Sequence, residues 1–282
     1  MNPRLVRFCT WVGLHRRTAT PRRTPDAYRL AYEEIRFSTA HKDGVRLSGW
    51  LIPAASPRGL VILCHGYGCT RTFVLGKAAM LQKQGYTTLL FDFRARGLSE
   101  GPYCTLGQRE TDDVLGAVQY AADRADLRSL PIFALGESMG GAAALQAAAR
   151  DERIRAVIAE AAFASLDDAV VLRFRQVLGP LGGRMAQACM ELGEQDLGLK
   201  ALDVAPVRVI AQIAPRPVFL ITDALDMVCL RPQSDRLYEA AGEPKQRWIV
   251  PNALHTYAFQ TARAEYEQRI CQFLNAALPA SS

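Results

Sequence analysis

The chain has 282 residues, and its 34 Lys+Arg against 28 Asp+Glu give a formal charge of +6 at pH 7. The surplus is local: residues 1–25 hold Arg4, Arg7, Arg16, Arg17, Arg22 and Arg23 and no acid, so the remainder is electrically balanced. A nucleic-acid reader carries its basic residues on the folded body, and the balanced body excludes that partner. A hydrophobic fraction of 49% with 22% charged residues excludes disorder. No apolar run approaches the roughly 20 residues that a bilayer span needs.

Seven scattered cysteines (Cys9, Cys64, Cys69, Cys104, Cys189, Cys229, Cys271) contain no CxxC pair. They read as reduced thiols in a cytoplasmic protein, without a disulfide framework or a structural zinc site. The segment Leu5–Leu14 contains Arg7 and precedes Arg16-Arg17 rather than a small-residue cleavage site, so it does not read as a signal peptide. Residues 1–25 read as a basic extension, loosely ordered up to Pro21 and Pro25 and separable from the catalytic body, with a weak peripheral contact to an anionic membrane as its partner.

Residues 26–282 read as one α/β domain. Glu34–Phe37 and Val45–Trp50 alternate around His41-Lys42-Asp43-Gly44, a hairpin signal. Short apolar runs follow at Leu60–Leu63, Thr88–Phe91, Ile132–Leu135, Ala156–Ala159 and Val218–Ile221, the form expected of buried parallel strands. Helical stretches at Phe73–Gln84, Arg109–Asp123, Gly141–Arg150 and Arg231–Ala241 separate them, and Gln246–Val250 is a last strand before a closing helix over 260–278. This alternation predicts a mostly parallel twisted sheet with helices on both faces. Residues 166–204 contain no strand-like run and read as a short helical lid insertion over the carboxyl ends of the strands, with Leu172, Phe174, Val177, Leu178 and Met185 as its apolar lining.

Gly136-Glu137-Ser138-Met139-Gly140 matches G-x-S-x-G between a strand and a helix. So sharp a turn strains the serine and exposes its hydroxyl at a helix N-terminus. Of the four histidines, His15 and His41 precede the βα core and His65 follows its first parallel strand. Only His255 lies downstream of Ser138, as the order Ser, Asp/Glu, His requires. The acid belongs between them, after a strand. Asp226 is the first choice, Asp223 the nearest competitor and Glu160, ending the preceding strand, the third. His65-Gly66-Tyr67-Gly68 supplies a glycine-rich loop whose Tyr67 N–H, with that of Met139, is suited to an oxyanion hole.

With these landmarks, and with Phe91-Asp-Phe-Arg-Ala-Arg-Gly-Leu-Ser99, Arg216–Ile221 and Asn252-Ala-Leu-His255, the chain resembles an α/β-hydrolase of the esterase or serine aminopeptidase-like group from about residue 30 to 278. The resemblance implies a Ser138–Asp226–His255 triad acting on a small-molecule ester, thioester or amide, with no metal and no organic cofactor. Two positions depart from the family pattern. Thr222-Asp223 stands where His-Gly is usual before the acid, and Ala95-Arg96 where Gly-His is usual, implying a local change in that loop. The alternatives are a non-catalytic binding module on the same fold, a peptidase or an acyltransferase.

Overall fold

Side-chain alternation sorts every central strand between two apolar layers. In strand β3 (Gly59–Cys64), Leu60, Ile62 and Cys64 enter one buried cluster while Val61 and Leu63 enter a second. Strands β5 (Ile132–Glu137), β6 (Ile154–Glu160) and β7 (Val218–Asp223) divide in the same way, Val218 and Leu220 to the first cluster and Phe219 and Ile221 to the second. Each such leucine or isoleucine contributes about 1.5–3 kcal/mol by leaving water. Both faces therefore need a cover, and helices supply it.

The computed structural model describes residues 3–15 and 23–279. In chain order the elements are helix α1 (Pro3–His15), strands β1 (Glu33–Ser38), β2 (Arg46–Ile52) and β3, helix α2 (Leu75–Lys83), strand β4 (Tyr86–Phe91), helix α3 (Glu110–Asp123), β5, helix α4 (Met139–Arg150) and β6. Helices α5 (Leu166–Leu178), α6 (Gly182–Leu197) and α7 (Pro206–Val209) precede β7. Helix α8 (Arg231–Ala240), strand β8 (Lys245–Val250) and helices α9 (Ala258–Thr261) and α10 (Arg263–Ala276) close the chain. Helices α3, α4 and α8 bury their apolar residues in the first cluster, α2 and α10 in the second.

The sheet has eight strands in the order β1-β2-β4-β3-β5-β6-β7-β8, with β2 antiparallel to both neighbours and all other pairs parallel. This is the α/β-hydrolase fold. The order reverses between β3 and β5, which pair through Cys64 and Gly136. Loops leaving the carboxyl ends of strands at such a reversal frame a crevice, and the loops after β3 and β5 carry Tyr67 and Ser138.

The observed helix starts differ from expectation for local reasons. The stretch before α2 is a 3-10 turn over Arg71–Val74, and Ala262 interrupts the closing helix between α9 and α10. Helix α4 begins at Met139, inside the serine motif. Among residues 166–204 no strand occurs.

Residues 3–15 do not run loose. Val6 packs with Met185 and Cys189 of α6, Leu14 is buried, and the carbonyl of Leu14 accepts the N–H of Cys104 at 2.9 Å. The expectation fails there because the spacing of Val6, Cys9, Thr10 and Leu14 gives a helix face, which a count of arginines does not register. Residues 1–2 and 16–22 of the proposed extension lie outside the described residues. Among the described residues no helix is long and apolar enough to cross a membrane.

A buried valine facing α6 predicts that Val6→Asp releases α1. Limited trypsin digestion should cut at Arg7 faster in that variant than in the wild type, with the main unfolding transition little changed; equal rates would mean that α1 is not held by this contact.

Candidate active site

Glycines at the serine turn are required by contact. A Cβ on Gly136 would lie 2.3 Å from the carbonyl oxygen of Gly140, and one on Gly140 would lie 2.4 Å from that of Cys64. With β5 and α4 this close, Ser138 takes φ 52° and ψ −119°, a region that L-residues rarely occupy. Its N–H donates to the carbonyl of Glu160 on β6 at 2.8 Å, which fixes the turn to the sheet. Met139 N–H is the first of α4, one of the groups for which a helix has no internal acceptor.

Ser138, His255 and Asp226 come together. His255 Nε2 lies 3.0 Å from Ser138 Oγ, and His255 Nδ1 lies 2.7 Å from Asp226 Oδ2. Asp226 is buried, and its other oxygen accepts the N–H groups of Val228 and Cys229 at 2.7 and 2.8 Å. The carboxylate is thus held by two backbone donors while it faces the imidazole. This arrangement suits a hydroxyl that loses its proton to an imidazole whose tautomer an acid fixes.

The two competing acids do other work. Asp223 Oδ2 accepts the N–H of Thr256, next to His255, at 2.6 Å. Burial, with Glu160 nearby, pushes the Asp223 carboxyl up to about 8. Glu160 accepts the Ala258 N–H at 3.2 Å, the Tyr266 hydroxyl at 2.9 Å and the Lys77 ammonium at 2.5 Å. Lys77 also donates to Glu137, the residue before Ser138. Burial raises the Glu137 carboxyl, and although burial also opposes charge on Lys77, the two glutamates hold the ammonium well above its ordinary range. Sequence reasoning missed Lys77, Glu137 and Tyr266. Glu137 sits inside the serine motif, but nothing in the spacing of the other two marks them.

The loop after β3 lies against Ser138, since a Cβ on Gly66 would sit 3.4 Å from that of Ser138. His65 is fully buried, its Nδ1 2.8 Å from the Gly66 carbonyl while its Nε2 accepts the Phe93 N–H at 3.1 Å. That pairing makes it a brace for the loop and leaves no ring nitrogen for Ser138. At the two unusual positions after β4, Ala95 takes φ 56° and the buried Arg96 guanidinium stands 5.1 Å from the centre of the Tyr67 ring. The departure from the family pattern therefore props the Tyr67 loop.

An apolar cavity of about 130 Å³ opens between α1, α5, α6 and the 105–108 loop, lined by Leu14, Leu106, Leu166, Val170, Phe174 and Met190 among others. Of the five lid residues expected to line a pocket, Phe174 alone does. Val177 and Leu178 are exposed, Leu172 is half-buried, and Met185 is taken up by Val6 and Cys189. Met185 is turned from the cavity because α1 occupies that face of α6.

A nucleophile turn after a parallel strand, with an acid and a histidine on later loops at the same sheet edge, defines the α/β-hydrolases as a class. Within it the chain belongs to the serine aminopeptidase S33 family, whose model matches residues 55–203. The match contains Ser138 and ends before Asp226 and His255. The chain is 28% identical over 254 residues to the uncharacterized protein YfhR of Escherichia coli (strain K12), spanning 87% of this chain and 81% of that one. It is 26% identical to the polyketide transferase ATR5 of Stachybotrys chlorohalonatus, spanning 80% of this chain and 90% of that one. The esterase Pf2001 of Pyrococcus furiosus superposes with a TM-score of 0.76 at 25% identity, over 93% of this chain and 99% of that one.

Because Asp223 binds its proton far more tightly folded, between its ordinary 3.8 and about 8, than unfolded, its burial costs stability progressively as pH rises through that window. Asp223→Asn keeps an acceptor for Thr256 without the ionisation. Denaturant unfolding should show its stability rising relative to wild type from pH 4 to pH 8; a constant difference would contradict the assignment.

Proposed function

We propose that the protein hydrolyses a carboxylic ester, or a related thioester or amide, through a Ser138 acyl-enzyme. Ser138 Oγ attacks the carbonyl carbon while His255 Nε2 takes the hydroxyl proton, and Asp226 holds the imidazolium that results. The N–H groups of Tyr67 and Met139 receive the developing oxyanion, each donor worth roughly 3 kcal/mol in the transition state. His255 then returns the proton to the leaving group. Water, deprotonated by the same histidine, attacks the acyl-enzyme and releases the acid with Ser138 restored.

The observation that carries this reading is the continuous hydrogen-bonded line from Ser138 Oγ through His255 to Asp226, 3.0 and 2.7 Å, at a strained strand-to-helix turn. The esterase name of the Pyrococcus neighbour agrees with ester chemistry. The polyketide transferase name of ATR5 favours a second reading, in which a thioester is the acyl donor and an acceptor other than water takes the acyl group. Catalysis of this kind needs no metal or organic cofactor.

The reading places the protein in the cytoplasm, in keeping with seven free cysteines. Residues 1–25 add a weak peripheral contact with an anionic membrane, for which the exposed outer face of α1 (Leu5, Phe8, Trp11) flanked by Arg4 and Arg7 is suited. Phe8→Ser/Trp11→Ser should reduce sedimentation with phosphatidylserine-containing vesicles to the level seen with phosphatidylcholine alone; undiminished sedimentation would contradict the contact.

The test of the reaction is a panel of matched esters, thioesters and aminoacyl amides. Esters should turn over with wild type and not with Ser138→Ala, and kcat should fall by about 10⁴ for Asp226→Asn but far less for Asp223→Asn. A flat panel would favour the non-catalytic module, and a larger loss at Asp223 than at Asp226 would return the acid's role to Asp223.

A further inference from the structure

Cys229 has no part in the reaction above. Cys229 follows Asp226 by three residues, and its N–H donates to Asp226 Oδ1 at 2.8 Å. Its thiol is buried at the edge of the apolar layer and within hydrogen-bonding reach of the Ser138 side chain. One ligand atom from each of Cys229, His255 and Asp226 lies within 4.8 Å of the other two. Among the described residues no other grouping of three His, Cys, Asp or Glu side chains brings its ligand atoms so close.

We infer that Cys229 and His255 form a site for a thiophilic divalent cation, Zn²⁺ above all, and that the bound cation blocks Ser138. A thiolate with an imidazole is a donor pair that zinc prefers, at about 2.3 Å to sulfur and 2.0 Å to nitrogen. Ligands at those lengths stand roughly 3–4 Å apart, and one ligand atom of each of Cys229, His255 and Asp226 already lies within 4.8 Å of the others. The cation takes His255 Nε2, which gives up its bond to Ser138 Oγ. His255 Nδ1 keeps Asp226, the carboxylate–histidine pairing that orients metal-bound imidazoles. Ser138 Oγ, next to both ligand atoms, is placed to complete the set with water. The thiol proton passes to solvent as the metal–sulfur bond forms. Zinc and substrate then exclude each other, because both need His255 Nε2.

The inference rests on the proposed reaction only for its inhibitory consequence, so two readouts separate them. The full-length protein, freed of metal, is titrated with Cd²⁺ while the thiolate-to-metal absorption in the ultraviolet is followed, and with Zn²⁺ while ester turnover is followed. Wild type and Ser138→Ala should both show a saturable one-equivalent band, and Cys229→Ser and Cys229→Ala should both lack it. The zinc concentration that halves turnover, taken against each variant's own metal-free rate, should rise by roughly tenfold or more in Cys229→Ser. Cys229→Ser preserves the packing should the alanine variant fail to fold. A band retained in both Cys229 variants, or unchanged zinc sensitivity, would overturn the site. Turnover without a Cys229-dependent band removes this inference alone, whereas a Cys229-dependent band without any turnover leaves the metal site standing and removes the hydrolase reading.

Discussion

The close approach of β5 to α4 through Gly136 and Gly140 is the constraint on which the site depends. No side chain fits at either position, and the turn so formed puts Ser138 in a conformation that the local chain does not favour. The bond from Ser138 N–H to the Glu160 carbonyl holds that conformation from the neighbouring strand. The same tightness brings the Cys64 and His65 carbonyls against Gly140, so the loop after β3 is set over Ser138 by the packing that strains it. The position of Ser138 and the proximity of the Gly66 backbone follow from one steric fact.

Beneath the turn lies a buried set of charges. Lys77 from α2 bridges Glu137 of β5 and Glu160 of β6, and Glu160 also binds Tyr266 of α10 and the Ala258 N–H at the start of α9. Removing one member of such a group costs about 3–5 kcal/mol, because the others are left buried without a partner. The group therefore ties the serine strand to the segment that follows His255. Asp223 adds a second tie through Thr256, and Asp226 takes the imidazole itself. Three neighbouring carboxylates thus divide between scaffold and base, and the division follows from burial and partners, since all three end or follow strands at one sheet edge.

Much of this was legible in the chain. Runs such as Leu60–Leu63 and Val218–Ile221 read as strands because they are buried on both faces, and the serine, histidine and acid stand out because each sits one short loop beyond such a run. The acid was the least certain of the three. Asp223 and Asp226 both follow β7, and only the direction of the side chains distinguishes them. The buried lysine was illegible for another reason: Lys77 lies in an ordinary helical pattern, and its charge becomes structural only when β5 and β6 bring two glutamates to it. The N-terminal segment was misjudged because its arginines dominate its composition while its helix face depends on four spaced residues. In consequence, a segment expected to be separable forms one wall of the apolar cavity. The helix that opens at Met139 rather than Gly141 has the same lesson, since glycine propensity yields to the packing that the turn requires.

The central claim is that Ser138 is the nucleophile of a covalent reaction. Reaction of the purified full-length protein with a fluorophosphonate, followed by intact mass and peptide mapping, tests it directly. The account predicts one adduct per chain, carried by Ser138, with labelling strongly slowed in His255→Ala. A protein that takes up no probe, or one whose adduct maps to another residue, would contradict it.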